Sequence, residues 1–92
     1  MPEKKVSVTV GSSISVNPDS IQVKKTQDNV KWVNDAGTEF SIQIPGYPTP
    51  QCRVEGNQYV CVSGTFPNTG TVKYDVSSPG KPTLDPDLEI IP

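Results

Sequence analysis

Histidine is absent from all 92 residues. That absence removes the side chain that exchanges a proton near neutral pH and the imidazole on which most transition-metal sites depend. Methionine occurs once, as Met1, so a thioether ligand from inside the chain is also missing. Leucine is limited to Leu84 and Leu88 and alanine to Ala36, which leaves helix formers scarce. No apolar run approaches the roughly 20 residues that a membrane-spanning helix needs. Ten acidic and eight basic side chains give a formal charge of −2, and no basic cluster is dense enough to engage a phosphate backbone or an anionic membrane. We therefore expect no nucleic-acid partner and no membrane insertion. The start, Met1-Pro2-Glu3-Lys4-Lys5, runs into alternating residues without a signal-like apolar core, so export would require a leader that has been removed.

The apolar residues present are chiefly valine and isoleucine, whose branched, stiff side chains suit a pleated sheet. Hydrophobic residues make up 33% of the chain, enough for one small core and too few for two. Residues 1–92 are thus read as a single all-β domain.

Alternation places the strands. Val6, Val8 and Val10 share one face, Gly11-Ser12-Ser13 interrupts, and Ile14 with Val16 resumes the pattern. Asn17-Pro18-Asp19-Ser20 is a turn signal, followed by Ile21-Gln22-Val23-Lys24. After Thr26-Gln27-Asp28-Asn29, Val30 and Trp32 point inward with Val33 a further candidate, and Asn34-Asp35-Ala36-Gly37 closes that strand. Phe40-Ser41-Ile42-Gln43-Ile44 alternates up to Pro45, and residues 45–51 could hold a short helical turn. Cys52 to Cys61 forms one unit, Val72-Lys73-Tyr74-Asp75-Val76 a strand, and Leu88-Glu89-Ile90 the last. Seven or eight strands between such turns predict a Greek-key β-sandwich.

Placing Gly56-Asn57 as a two-residue hairpin turn pairs Glu55 with Gln58, Val54 with Tyr59, Arg53 with Val60, and Cys52 with Cys61. The cysteines then fall on a non-hydrogen-bonded pair, where side chains stand closest. We expect a disulfide, worth about 2 to 3 kcal/mol by closing the loop in the unfolded chain; free thiols or a metal pair are the alternatives. A disulfide implies an oxidising location, periplasmic or extracellular.

The stretch Pro18-Asp19-Ser20-Ile21-Gln22-Val23-Lys24-Lys25, with Val30-Lys31-Trp32-Val33-Asn34-Asp35, resembles the front half of the cupredoxins, the blue-copper β-sandwich family. Thr69-Gly70-Thr71-Val72-Lys73-Tyr74-Asp75-Val76 resembles the strand leading into that family's copper loop, and Leu88-Glu89-Ile90-Ile91 its final strand. The resemblance implies a copper site of two histidines, a cysteine thiolate and a weak methionine. Those ligands would fall near Phe40, Val76 and Pro79, none of which can bind the metal. The implied scaffold therefore lacks the implied chemistry, and no cofactor is expected.

Trp32 reads as the central core residue, with ligand stacking as the alternative, and Phe40 as an apolar plug. Asp85, Asp87 and Glu89, joined by Asp75, could offer oxygens to Ca²⁺, but strand periodicity also accounts for them as solvent-facing positions. Tyr47 and Pro48, in Gly46-Tyr47-Pro48-Thr49-Pro50, are the candidate recognition residues; Tyr47 reads equally as a lid over one end. No phosphate-binding glycine loop, nucleophile elbow or Cys-x-x-Cys pair is present, and we expect no enzymatic activity. The expectation is a structural or protein-interaction module of an exported protein, meeting another protein through loops 45–50 and 77–86 at one end. A metal-handling protein with other ligands and an immunoglobulin-like adhesion domain are the competing readings.

Overall fold

The alternating valines and isoleucines become strands throughout. The computed structural model describes residues 3–92 and contains, among them, ten strands and no helix. Met1, the single methionine, and Pro2 lie outside the described residues. In order the strands are β1 (Glu3–Val10), β2 (Ile14–Asn17), β3 (Ser20–Lys24), β4 (Asn29–Asn34), β5 (Ser41–Gln43), β6 (Gln51–Glu55), β7 (Gln58–Val62), β8 (Gly70–Lys73), β9 (Asp75–Ser77) and β10 (Asp87–Ile91). The count exceeds the expected seven or eight because the cysteine unit is a hairpin of two strands and the segment 72–76 divides at Tyr74.

A five-stranded sheet runs β2-β1-β4-β7-β6, with β1 parallel to β4 and its other pairs antiparallel. A second layer is built from β3-β10-β8 and β5-β9. These two smaller sheets join at Tyr74, where one extended segment changes partner from β10 to β5. There the Tyr74 N–H donates to the Pro86 carbonyl at 3.1 Å, and Val76 and Leu84 exchange both backbone bonds at 2.9 and 3.0 Å. The second layer also contains a parallel pair, β3 with β10. The arrangement is compatible with a β-sandwich.

One core joins the layers. Val6, Trp32 and Cys61 come from the large sheet, Ile21, Val23, Leu88 and Ile90 from the second, and all are buried. Trp32 and Tyr74, the two largest fully buried side chains, meet edge to face with ring centroids 5.4 Å apart. Trp32 is thus a core residue. Val33 is buried as well, but strand alternation puts it on the opposite face from Trp32, beside Val60. That apolar pair lies under an ion pair running from Lys31 to Glu55 at 3.5 Å, which crosses the outer face diagonally.

Buried polar side chains fasten the strand ends. The Asn34 amide donates to the Val8 carbonyl at 3.0 Å, and its oxygen accepts from the Ala36 and Thr38 amides at 2.9 and 3.0 Å. Asp28 accepts from the Lys24 amide at 2.9 Å, closing the turn that carries Thr26 at a φ of 59°. Ser63 accepts from the Val30 amide at 2.9 Å and donates to the Gly64 carbonyl at 2.9 Å.

Asn34→Ala leaves two loop amides and a strand carbonyl without their partner, and should lower the unfolding free energy by about 2 to 4 kcal/mol in urea titration. Tyr74 behaves oppositely. Its hydroxyl and the Trp32 indole N–H are buried without a hydrogen-bond partner, so Tyr74→Phe should leave stability unchanged or raise it by about 1 kcal/mol. Burial also holds the Tyr74 phenol above its ordinary pKa, partly offset by the nearby indole of Trp32. A raised folded-state pKa gives a contribution fully present below the unfolded tyrosine value of about 10 and lost as pH rises through the folded value. Measured in urea, the difference between the variant and the parent chain should therefore stay constant up to about pH 10 and shift further in the variant's favour only in alkali.

Candidate functional site

Ile44-Pro45-Gly46-Tyr47 forms a type II turn rather than the expected helical turn. Proline sets φ at the second position, Gly46 takes the required positive φ of 82°, and the Tyr47 N–H donates to the Ile44 carbonyl at 3.0 Å. The turn folds the Tyr47 ring back onto Phe66, edge to face at 5.3 Å, and leaves it half-buried. Tyr47 is therefore less exposed than its proline-rich surroundings suggest: one edge packs on the core and the rest faces a groove. Pro48 is exposed on the rim.

This groove encloses about 410 Å³ between the 44–49 loop, the segment 63–66 and the ends of β6 and β7. Ile44, Tyr47, Pro48, Val62 and Phe66 make its apolar part, and Thr49, Gln51, Ser63 and Thr65 supply neutral polar groups. Arg53 is the only ionisable residue in the lining besides Tyr47, and its guanidinium is paired with the Glu55 carboxylate. A concave apolar surface with a few convergent polar groups is the usual form of a binding site. Phe66, Val62 and Arg53 were not singled out from the sequence.

The second candidate loop lies elsewhere. Strand β5 runs antiparallel to β9 with Ser41 opposite Ser77 and Gln43 opposite Asp75. Loop 45–50 leaves the Gln43 end of that ladder and loop 77–86 leaves the Ser77 end, so the two project from opposite ends of the domain rather than from one. Loop 77–86 is closed at its base by the Val76–Leu84 bridge and tied to the β5 side by a 2.8 Å bond from the Ser78 hydroxyl to the Glu39 carbonyl.

That far end is where the family resemblance would put metal ligands. Phe40 is 2% exposed and packs edge to face on Tyr59 at 5.4 Å, and Val76 is fully buried. Neither Phe40 nor Val76 offers a lone pair. Cys52 and Cys61 stand opposite each other, as the hairpin register requires, joined by an S–S bond of 2.02 Å with Cα atoms 4.0 Å apart. Gly56 alone in the turn has a positive φ, 59°, the pattern of a type II′ hairpin. No free thiol remains, and among the described residues no helix is long and apolar enough to cross a membrane.

The acidic residues divide. Asp87 pairs with Lys73 at 3.0 Å, and Glu89 accepts from Gln22 at 2.6 Å. Asp75 and Asp85 flank the Val76–Leu84 bridge and share a hydrogen bond, which raises the Asp75 pKa; slight burial and the Asp85 charge push the same way. Among the described residues no three acidic or sulfur side chains converge as a metal cage. Compared with known proteins, the chain matches no family model and no curated sequence.

The sign for Asp75 follows from its raised folded-state pKa. The contact with Asp85 is fully favourable below the usual aspartate range and is lost as pH rises through the shifted value. Asp85→Asn should move the Asp75 titration to lower pH, read from its carboxyl carbon by NMR. An unchanged midpoint would show that the two carboxyls do not interact.

Proposed function

We propose that this chain is a copper-free, cupredoxin-like Greek-key sandwich serving as a non-catalytic protein-interaction module of an exported protein. The observation that carries the reading is the groove beside Tyr47: apolar and aromatic on its floor, rimmed by proline, bordered by the Arg53–Glu55 ion pair and shaped by a type II turn. A preformed rim of this kind loses little entropy on binding, and Tyr47 offers a large amphipathic contact. The fitting partner is a protein segment that presents an apolar or aromatic side chain to the groove.

Two further features support the scaffold part. The parallel pairs β1 with β4 and β3 with β10 depart from the two antiparallel sheets of an immunoglobulin-like domain and favour the cupredoxin-like reading. The packed ring of Phe40 puts an apolar side chain at the implied ligand position. The Cys52–Cys61 bridge is consistent with a periplasmic or extracellular location.

Selection from a displayed random-peptide library on the immobilised, oxidised chain tests the groove. Apolar and aromatic sequences should be enriched, and their binding should fall at least about tenfold in Tyr47→Ala, a hot-spot-sized loss. Part of the Tyr47 ring packs on Phe66, so the variant must be shown folded by its thermal transition. No enrichment, or binding indifferent to Tyr47→Ala in folded protein, would overturn the reading.

A further inference from the structure

Strand β6 is an outer strand of the five-stranded sheet, bonded only to β7. It carries Val54, which is 70% exposed and the one large hydrophobic residue left strongly exposed among the described residues. By register Val54 shares the inward face of the sheet with Cys52, Cys61 and Trp32. The second layer does not reach that far, so the inner face of β6 meets solvent.

The hairpin fixes which backbone groups are free. A two-residue turn makes Glu55 and Gln58 the closing hydrogen-bonded pair, and bonded pairs then recur at Arg53 and Gln51. The N–H and C=O groups of Cys52 and Val54 consequently point away from β7, toward an absent neighbour. Free edges of this kind are templates for another strand unless their side chains prevent it.

The β6 charges do not prevent pairing with a second copy. Arg53 and Glu55 lie two residues apart on one face and currently bond to each other. Three two-fold antiparallel registers satisfy the outward backbone groups. Centring on Arg53 puts that residue opposite itself and is repulsive. Centring on Cys52 sets Arg53 against the neutral Gln51. Centring on Val54 puts Arg53 of each copy opposite Glu55 of the other, at non-bonded positions where side chains are closest, while the two Val54 side chains cover each other on the opposite face.

We propose that this chain self-associates through an antiparallel β6–β6 contact centred on Val54, joining the five-stranded sheets of two copies into one. The contact is isologous and closes at two copies. An interface built on a five-residue strand is small, so the dimer forms at high protein concentration and is dilute-labile.

Sedimentation of the oxidised full chain from about 20 μM to about 1 mM tests the proposal, a range suited to weak association. A concentration-dependent shift from monomer to dimer is expected. Arg53→Glu and Glu55→Arg should each weaken association at least about tenfold, because each places like charges opposite at two symmetric positions. The double exchange Arg53→Glu with Glu55→Arg should restore it. Val54→Pro, which removes a donor directed at the partner while sparing the bonds to β7, should abolish it. Thermal unfolding of each variant establishes that it is folded. Tyr47→Ala should leave association unchanged, since Tyr47 lies outside β6 and makes none of the proposed contacts. A monomer at the highest concentration would overturn the proposal. So would a dimer indifferent to the single reversals, one that the double exchange fails to restore, or one broken by Tyr47→Ala.

Discussion

The packing of Trp32 on Tyr74 is the contact on which the rest depends. Trp32 comes from the centre of the large sheet, and Tyr74 from the point where the second layer's shared segment passes from β10 to β5. Their two rings are the largest side chains of a core otherwise made mainly of valine and isoleucine, with Phe40, Phe66, Leu88 and Cys61, in a chain of only 33% hydrophobic residues. Both polar tips remain unpaired inside. That costs free energy and is tolerated because the aromatic areas buried are large. The same junction at Tyr74 anchors the Val76–Leu84 bridge and so the base of loop 77–86.

From this centre the two ends of the domain diverge in character. At one end Phe40, Tyr59 and Val76 close the space with packing, and the Ser78–Glu39 bond draws the loop down. At the other, the turn through Pro45 and Gly46 lifts residues 47–49 away from β6 and β7 and leaves a groove. Packing favours a functional reading of the open end and a structural reading of the closed one. The disulfide serves the open end indirectly by clamping β6 to β7, since Gln51 and Arg53 in β6 and Val62 in β7 line the groove.

Local pattern made much of this legible. Alternation located the strands, and counting outward from Gly56-Asn57 gave the full register of the hairpin, including the facing cysteines, because both depend only on neighbours in the chain. Trp32 was legible as core for the same reason. What depended on pairing between distant segments was not. The sequence suggested that loops 45–50 and 77–86 share an end, whereas the β5–β9 ladder separates them. Phe66 and Arg53 became groove residues only when loop 44–49 folded beside them. Val33 is buried on the outer face because Val60 lies next to it and the Lys31–Glu55 pair passes over that row, a combination drawn from three strands. Tyr74 alternates faultlessly with its neighbours, so nothing local announced the change of partner that divides its strand.

We propose that the scaffold holds no metal site, because the packed Phe40 and Val76 occupy positions that the family resemblance assigns to ligands. A two-dimensional amide NMR spectrum of the oxidised chain, titrated with copper and then with Ca²⁺, tests it most directly. The account predicts dispersed peaks that neither metal moves saturably. A discrete, saturable set of shifts around Phe40 and Val76, or around Asp75 and Asp85, would contradict it and make metal handling the first reading.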